Sequence, residues 1–177
     1  MKISLNWISD FVDLSNVDYA ELIKKFTLAT AEVEDMYQVG KDIDGIIVAR
    51  VVSCVPHPQS NHLHILKVDT GSGIVDCICG AKNVKEGMLV AFAPVGSHVV
   101  GGEIKKAVIA GCESNGMCCS KEELGLADKS DGIWEITDNI PLGTDIKDVY
   151  EIEDTIFEID NKSLTNRPDL WGHYGIA

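Results

Sequence analysis

Between Ile46 and Cys119 the chain is cut into six short apolar runs: Ile46–Val55, Leu63–Val68, Ile74–Cys79, Met88–Ala93, Glu103–Ala110 and Gly116–Cys119. Glycine, proline and asparagine separate them, which punctuates the sequence too often for long helices and at the rhythm of strands. Glycines within such runs can turn or bulge a strand, and the pattern predicts a small all-β barrel. The turns are expected at His57-Pro-Gln59, Gly71-Ser-Gly73, Lys85-Glu-Gly87 and Gly101-Gly102.

The flanks have a different texture. Tyr19, Leu22, Ile23 and Phe26 recur at helical spacing, and Asp18 with Glu21 three residues on resembles a capping box, so a helix is predicted from Asp18 to about Leu28. A shorter helix is expected over Trp7 to Phe11, and Val33 to Val39 reads as extended. Ser120-Lys-Glu-Glu123 has the form of another capped helix start, followed by a return to strand at Ile133 to Ile136. Thr155-Ile-Phe-Glu-Ile-Asp160 alternates as a strand does, and Pro168 suits the first turn of a closing helix with Asn166 at its cap. A chain ending in a helix without a polar tail reads as a fragment of something longer. The expected class is therefore α+β with an all-β insertion. Residues 1–39 and 152–177 form two halves of one small discontinuous α/β domain, and residues 40–151 form the barrel between them.

The chain carries 15 Lys and Arg against 28 Asp and Glu, a formal net charge of −13. Nonspecific nucleic-acid affinity rests on Lys and Arg neutralising phosphates, so a strong free-standing RNA binder is disfavoured. No apolar run approaches the roughly 18 residues of a membrane span and no basic stretch precedes a hydrophobic signal core, so a soluble cytoplasmic protein is expected. The six cysteines contain no CxxC pair and several sit in strand-like runs, which favours reduced core thiols over disulfides or zinc. His57, His62 and His64 raise metal binding, but no acidic or cysteine partner lies at suitable spacing, and no metal site is expected. No Ser-His-Asp or Cys-His set, catalytic carboxylate pair or phosphate-cradling glycine motif is present, so no catalytic residue is assigned.

Six ordered motifs add a resemblance that covers essentially the whole chain. They are His57-Pro58 to Leu63 with Lys67-Val-Asp69 and Gly71; Cys79-Gly-Ala-Lys-Asn-Val84; Gly101-Gly-Glu-Ile-Lys-Lys-Ala107; Ser114-Asn-Gly-Met-Cys-Cys-Ser120 with Glu123-Leu-Gly-Leu126; Asp131-Gly-Ile-Trp-Glu-Ile136; and Asn166-Arg-Pro-Asp169 with Gly175-Ile-Ala177. In this order they resemble the amino-terminal region of bacterial phenylalanyl-tRNA synthetase beta subunits. The resemblance implies a five-stranded OB-fold barrel of the cytokine-like tRNA-binding kind. It also implies a place in an α₂β₂ heterotetrameric ligase that uses ATP and magnesium to attach phenylalanine to its tRNA, with activation in the alpha subunit. No cofactor is expected in this segment itself, and neither aminoacylation nor editing. Two departures stand out: Gln59-Ser-Asn-His62 where many relatives carry an acidic residue, and Leu164-Thr165 where a proline is usual before the Asn-Arg-Pro-Asp.

In an oligonucleotide-binding barrel one strand face and its loops meet nucleic acid, with cations on phosphate and polar groups on sugar or base edges. The candidate tRNA-binding residues are Lys67, Lys82, Asn83, Lys85, Lys105, Lys106, Ser114, Asn115 and Met117. Bland alternatives stand beside them: solvated strand-end lysines for Lys105 and Lys106, and packing for Met117. Arg167 is weighed as a phosphate contact or as a partner of nearby carboxylates. Phe92 and Trp134 are the only obvious aromatics of the barrel and both read as core, so base stacking is expected to contribute little. Two rival readings remain: a stand-alone structure-specific tRNA-binding protein, and a protein-interaction module without RNA binding, which the net charge favours.

Overall fold

The computed structural model describes all 177 residues. In chain order the elements begin with β1 (Lys2–Ser4), α1 (Leu5–Ser9), α2 (Tyr19–Ala29) and β2 (Val33–Val39). Next come β3 (Ile47–Pro56), β4 (His64–Asp69), β5 (Ile74–Cys79), β6 (Leu89–Pro94), β7 (His98–Val99) and β8 (Gly102–Glu103). The series ends with β9 (Ala107–Ile109), β10 (Cys112–Ser114), β11 (Gly116–Cys118), β12 (Glu135–Ile136), β13 (Asp154–Ile159) and α3 (His173–Ile176). No helix is long and apolar enough to cross a membrane. The chain divides into two compact units, one of Met1–Val39 with Glu153–Ala177 and one of Gly40–Ile152.

The first unit is a three-stranded antiparallel sheet in the order β1-β13-β2, with β13 in the middle. Helix α1 starts where the Ser4 hydroxyl accepts the Trp7 N–H at 3.0 Å. Asp18 caps α2 by accepting from Ala20 and Glu21 at 2.8 and 3.3 Å. Glu21 pairs with Lys25 one turn on, at 2.8 Å, so the expected box is built on its Asp18 side. Ile3, Leu5, Ile8, Phe157, Ile159 and Leu164 form the core, and Tyr19, Leu22, Ile23 and Phe26 of α2 pack against it. The closing helix departs from expectation. Pro168–Leu170 makes only a 3₁₀ turn, its N-cap is Arg167 with no side-chain capping bond, and Gly172 at φ 138° separates it from the single turn of α3. Arg167 forms a bidentate pair with Asp169 at 2.7 to 3.2 Å, the carboxylate alternative.

The second unit is a nearly closed five-stranded antiparallel barrel of OB type, in the order β11-β6-β3-β4-β5. Strand β3 belongs to both halves, pairing with β6 through Ile47–Arg50 and with β4 through Arg50–Pro56. A register shift between Val51 and Ser53 lets this long strand bend around the barrel. Strand β6 explains its own unbroken apolar run. Val90 and Phe92 face the interior with Leu66, Val68 and Cys77, while Ala91 and Ala93 face a second cluster built from Ile43, Ile46, Val48, Leu124 and Ile146. A strand covered on both faces has no polar side to alternate with.

The two end strands of the ladder, β5 and β11, meet across a seam of few bonds. The Asn115 N–H donates to the Asp76 carbonyl at 2.8 Å and the Ile78 N–H to the Ser114 hydroxyl at 3.1 Å. Gly116 stands at φ 142°, and a Cβ there would lie against the Phe92 ring and 2.7 Å from the Ala93 carbonyl, so glycine is the residue that fits.

Two expected elements take other forms. Glu103–Ala110 is not one strand: residues 104–106 leave the ladder between β8 and β9, and Ile104 bonds instead to Gly96 and Ser97 at 2.8 Å each. At Ser120 the box closes fully, Ser120 N–H and hydroxyl each donating to Glu123 Oε2 at 2.7 Å, yet only a turn follows. Gly125 at φ 67° ends the helical path within a few residues of its start.

Candidate nucleic-acid interface

The candidate cations are held at the barrel surface, mostly by local pairs. Lys67 on β4 stands directly opposite Asp76 on β5, and the two form an ion pair at 2.9 Å. Lys85, in the turn before β6, meets Glu135 of β12 at 3.2 Å. Lys105 lies 3.7 Å from Glu103, and Lys106 lies 2.8 Å from Glu113 on β10. Lys82 alone among the five carries no carboxylate partner. Exposed pairs of this kind are worth about 0–1 kcal/mol, so a phosphate could replace a carboxylate at small cost; the pairs lower the standing positive potential without locking the side chains.

The polar candidates are drawn into the fold. Ser114 is buried, and its hydroxyl accepts from Ile78 N–H while donating to the Gly116 carbonyl at 3.0 Å. Its proton and one of its lone pairs are therefore used at the seam. Asn83 clamps a distant segment, donating Nδ2 to the Ile133 carbonyl at 2.9 Å and accepting the Ile133 N–H on Oδ1 at 3.0 Å. Asn115 is half-buried with its backbone spent on Asp76, and Met117 is half-buried against the outer core cluster. Lys105, Ser114 and Met117 line one cleft of about 470 Å³ beside the seam, together with Cys79, Cys118 and Glu123. Lys67, Lys82, Asn83, Lys85, Lys106 and Asn115 lie outside it.

Three groups escape a reading by sequence. Arg50 is exposed on β3, the one arginine between residues 40 and 152, and its signal is that isolation. Lys121 sits over the Trp134 ring at 5.2 Å, and Trp134 tilts against Tyr150 with centroids 5.1 Å apart. Trp134 is half-buried, packed against the outer core cluster with its ring also under Lys121, whereas Phe92 is fully buried as expected. An indole with a cation over its face is a stacking surface of the kind that receives a base or a guanidinium.

The histidines shape a turn. His57 Nδ1 accepts the Gln59 N–H at 3.1 Å, so its Nε2 carries the proton; that atom and His64 Nδ1 are buried without partners. No group of three or more His, Cys, Asp or Glu side chains has the geometry to hold a metal ion. All six cysteines are free thiols.

The beta subunit of phenylalanine–tRNA ligase from Leptospira interrogans is 37% identical over 100% of this chain, and that of Hahella chejuensis is 39% identical, again over 100%. The chain spans 22% of the length of each of these relatives. Among solved structures, the MetRS related protein from Pyrococcus horikoshii matches 55% of this chain and 84% of its own at 22% identity and a TM-score of 0.41. The family described as "Putative tRNA binding domain" matches residues 46–145, the barrel and more than half of the chain. The chain belongs to this tRNA-binding-domain family.

Proposed function

We propose that this chain is the amino-terminal segment of a phenylalanine–tRNA ligase beta subunit, and that it contributes auxiliary tRNA contact and assembly rather than catalysis. The single observation carrying this reading is the family match over 46–145, set within identity to beta subunits that runs the whole length of the chain. In that setting the complete ligase would attach phenylalanine to its tRNA with ATP and magnesium, as a cytoplasmic heterotetramer with an alpha subunit that holds the activating site. Residues 40–151 would be the tRNA-facing insertion, and residues 1–39 and 152–177 the frame that carries it.

The local chemistry argues for weak contact. With a net charge of −13 and four of the five candidate lysines already facing carboxylates, few phosphates are neutralised. Lys82 offers an unpaired charge, Arg50 a planar one, and Lys121 with Trp134 a cation and a ring at one place. Lys67, Lys85, Lys105 and Lys106 join by exchanging partners. Asn115 and Met117 flank them, and Asn83 and Ser114 act through the backbone they position.

The test is a salt titration of binding between this chain and deacylated phenylalanine tRNA, with an unrelated duplex RNA as control. Two or three phosphate contacts give a slope of log affinity against log salt no steeper than about −3. Lys82→Ala is expected to weaken binding several-fold and flatten that slope by about one contact, while leaving the melting temperature unchanged. Equal affinity for the duplex control, or no binding at low salt, overturns tRNA contact. The paired lysines and acidic balance would then favour the second reading, an assembly module that leaves tRNA to the rest of the enzyme.

A further inference from the structure

The seam between β5 and β11 holds three thiols. Cys77 and Cys79 stand two residues apart on β5, on the face that lines the barrel interior, and Cys118 on β11 packs in the same buried cluster. The three are chemically unequal. The Cys77 thiol donates to the Gly116 carbonyl at 3.4 Å, which keeps its proton engaged, and Cys77 does not border the cleft. Cys79 borders the cleft, and its sulfur accepts the Ala81 N–H at 3.4 Å. Cys118 borders the same cleft from the opposite side of the seam. Cys79 is buried but forms part of the cleft wall, has a backbone donor aimed at its sulfur, and faces its natural partner across a gap that few backbone bonds close.

We propose that Cys79 and Cys118 form a peroxide-sensitive dithiol whose oxidation staples the barrel seam. The Cys79 thiolate attacks one oxygen of a hydroperoxide, the O–O bond breaks, and Cys79 becomes a sulfenic acid as the leaving oxygen takes up a proton. The Cys118 sulfur then attacks the Cys79 sulfur, loses its own proton and expels water. Two thiols and one hydroperoxide give one disulfide, one water and one molecule of the reduced peroxide, which for hydrogen peroxide is a second water. The ionisation balance favours this order of roles. The Cys118 thiol holds Cys79 down to about 7 against the opposing effect of burial, and the same contacts keep Cys118 protonated well above the ordinary thiol range. The sulfur with the lower pKa attacks first, and its protonated neighbour on the same cleft resolves.

The consequence is mechanical. Strands β5 and β11 are the two ends of the ladder and share no run of paired residues. A cross-link there closes a loop from 79 to 118 and restrains the unfolded chain, so the oxidised protein is expected to melt on the order of 10 °C higher than the reduced one. The inference is independent of the tRNA reading, since it concerns only the thiols and the seam.

The experiment exposes the unaltered 177-residue protein to hydrogen peroxide, blocks remaining thiols, and maps peptides by tandem mass spectrometry. The expected result is loss of two hydrogens, recovery with dithiothreitol, and a fragment series joining Cys79 to Cys118. In parallel, Cys118→Ser should stop at a Cys79 sulfenic acid trapped by dimedone, while Cys77→Ala should still form the cross-link. A disulfide mapped instead to Cys77 or Cys119, stable overoxidation of Cys79 without a cross-link, or no reaction at the cleft overturns the proposal. Because the mapping uses the unaltered chain, it decides between these outcomes even where a variant fails to fold.

Discussion

Asn83 shows how much one amide can hold. Its side chain satisfies both the N–H and the C=O of Ile133, a buried residue fifty positions away, and Gly132 passes so close that a Cβ would meet the amide oxygen. Removing the amide leaves two backbone groups in a partly buried place without partners, at about 1–3 kcal/mol for each group that stays dry. Asn83→Ala is therefore expected to destabilise the barrel by roughly 2–3 kcal/mol, read as a lower urea midpoint at unchanged slope. A loss below about 0.5 kcal/mol would show that water replaces the clamp. The same residue marks the limit of reading sites from sequence. The sequence presents Asn83 and Ser114 as polar groups on turns; Asn83 does lie in a turn, Ser114 ends strand β10, and the sequence is silent about what either touches. Their partners come from Ile133 and from Ile78, brought close only by the closed barrel. Lysine pairing is hidden for the same reason: Asp76 faces Lys67 because of strand register, and nothing in the local sequence states that register.

Elements are legible where period or punctuation decides them, and misread where a single glycine does. The helix over Tyr19–Ala29 and the strands Ile74–Cys79 and Val33–Val39 follow their periodicity within a residue or so. The turn after Ser120 carries a complete capping box and still stops, because Gly125 leaves the helical region before a second turn can form. Trp134 reads as core because its neighbours Ile133 and Ile136 are apolar and indeed buried; the indole does pack against the core with Tyr150, but only half-buried and with Lys121 over its ring. That segment also has a titration of its own. Desolvation, with the bond from the Tyr150 hydroxyl to Asp138 Oδ2 at 2.7 Å, raises the phenol to about 12. The folded protein then keeps a proton that the unfolded chain releases near its ordinary value of about 10, so this contribution is complete below about pH 10 and disappears as pH rises to about 12. The stability difference between the unaltered protein and Tyr150→Phe is expected to be constant from neutral pH to about 10 and to narrow above it. A difference that stays flat across that window would place Tyr150 outside the folding equilibrium.

At the scale of the whole molecule, the arrangement of the two cores makes the barrel separable. The barrel's buried clusters draw only on residues from Ile43 to Ile152, and the other unit's core only on residues up to Val33 and from Phe157 onward. The barrel begins and ends at one point, since a Cβ on Gly40 would lie 2.5 Å from the Ile152 carbonyl. On the other side of that junction Val39 pairs with Asp154 in the antiparallel register of β2 and β13. Two antiparallel strands whose last paired residues face each other need only a two-residue turn to connect them, and Asn-Gly supplies the positive φ angles of the favoured type I′ hairpin. Replacing residues 40–153 by Asn-Gly should therefore close β2 onto β13 at the loss of one α1 contact, the bond from Asn6 Nδ2 to the Glu153 carbonyl, and residues 40–152 expressed alone should fold as the barrel. The barrel fragment is expected to unfold in one cooperative transition within a few degrees of its transition in the full chain. The short-circuited frame, a domain of only about sixty residues, should melt cooperatively but at lower temperature, because so small a chain buries a smaller share of its surface. Circular dichroism melts of the two products decide the matter. If the barrel aggregates or melts without cooperativity when its ends are free, the frame is part of what folds it, and the two cores are one folding unit despite drawing on separate residues.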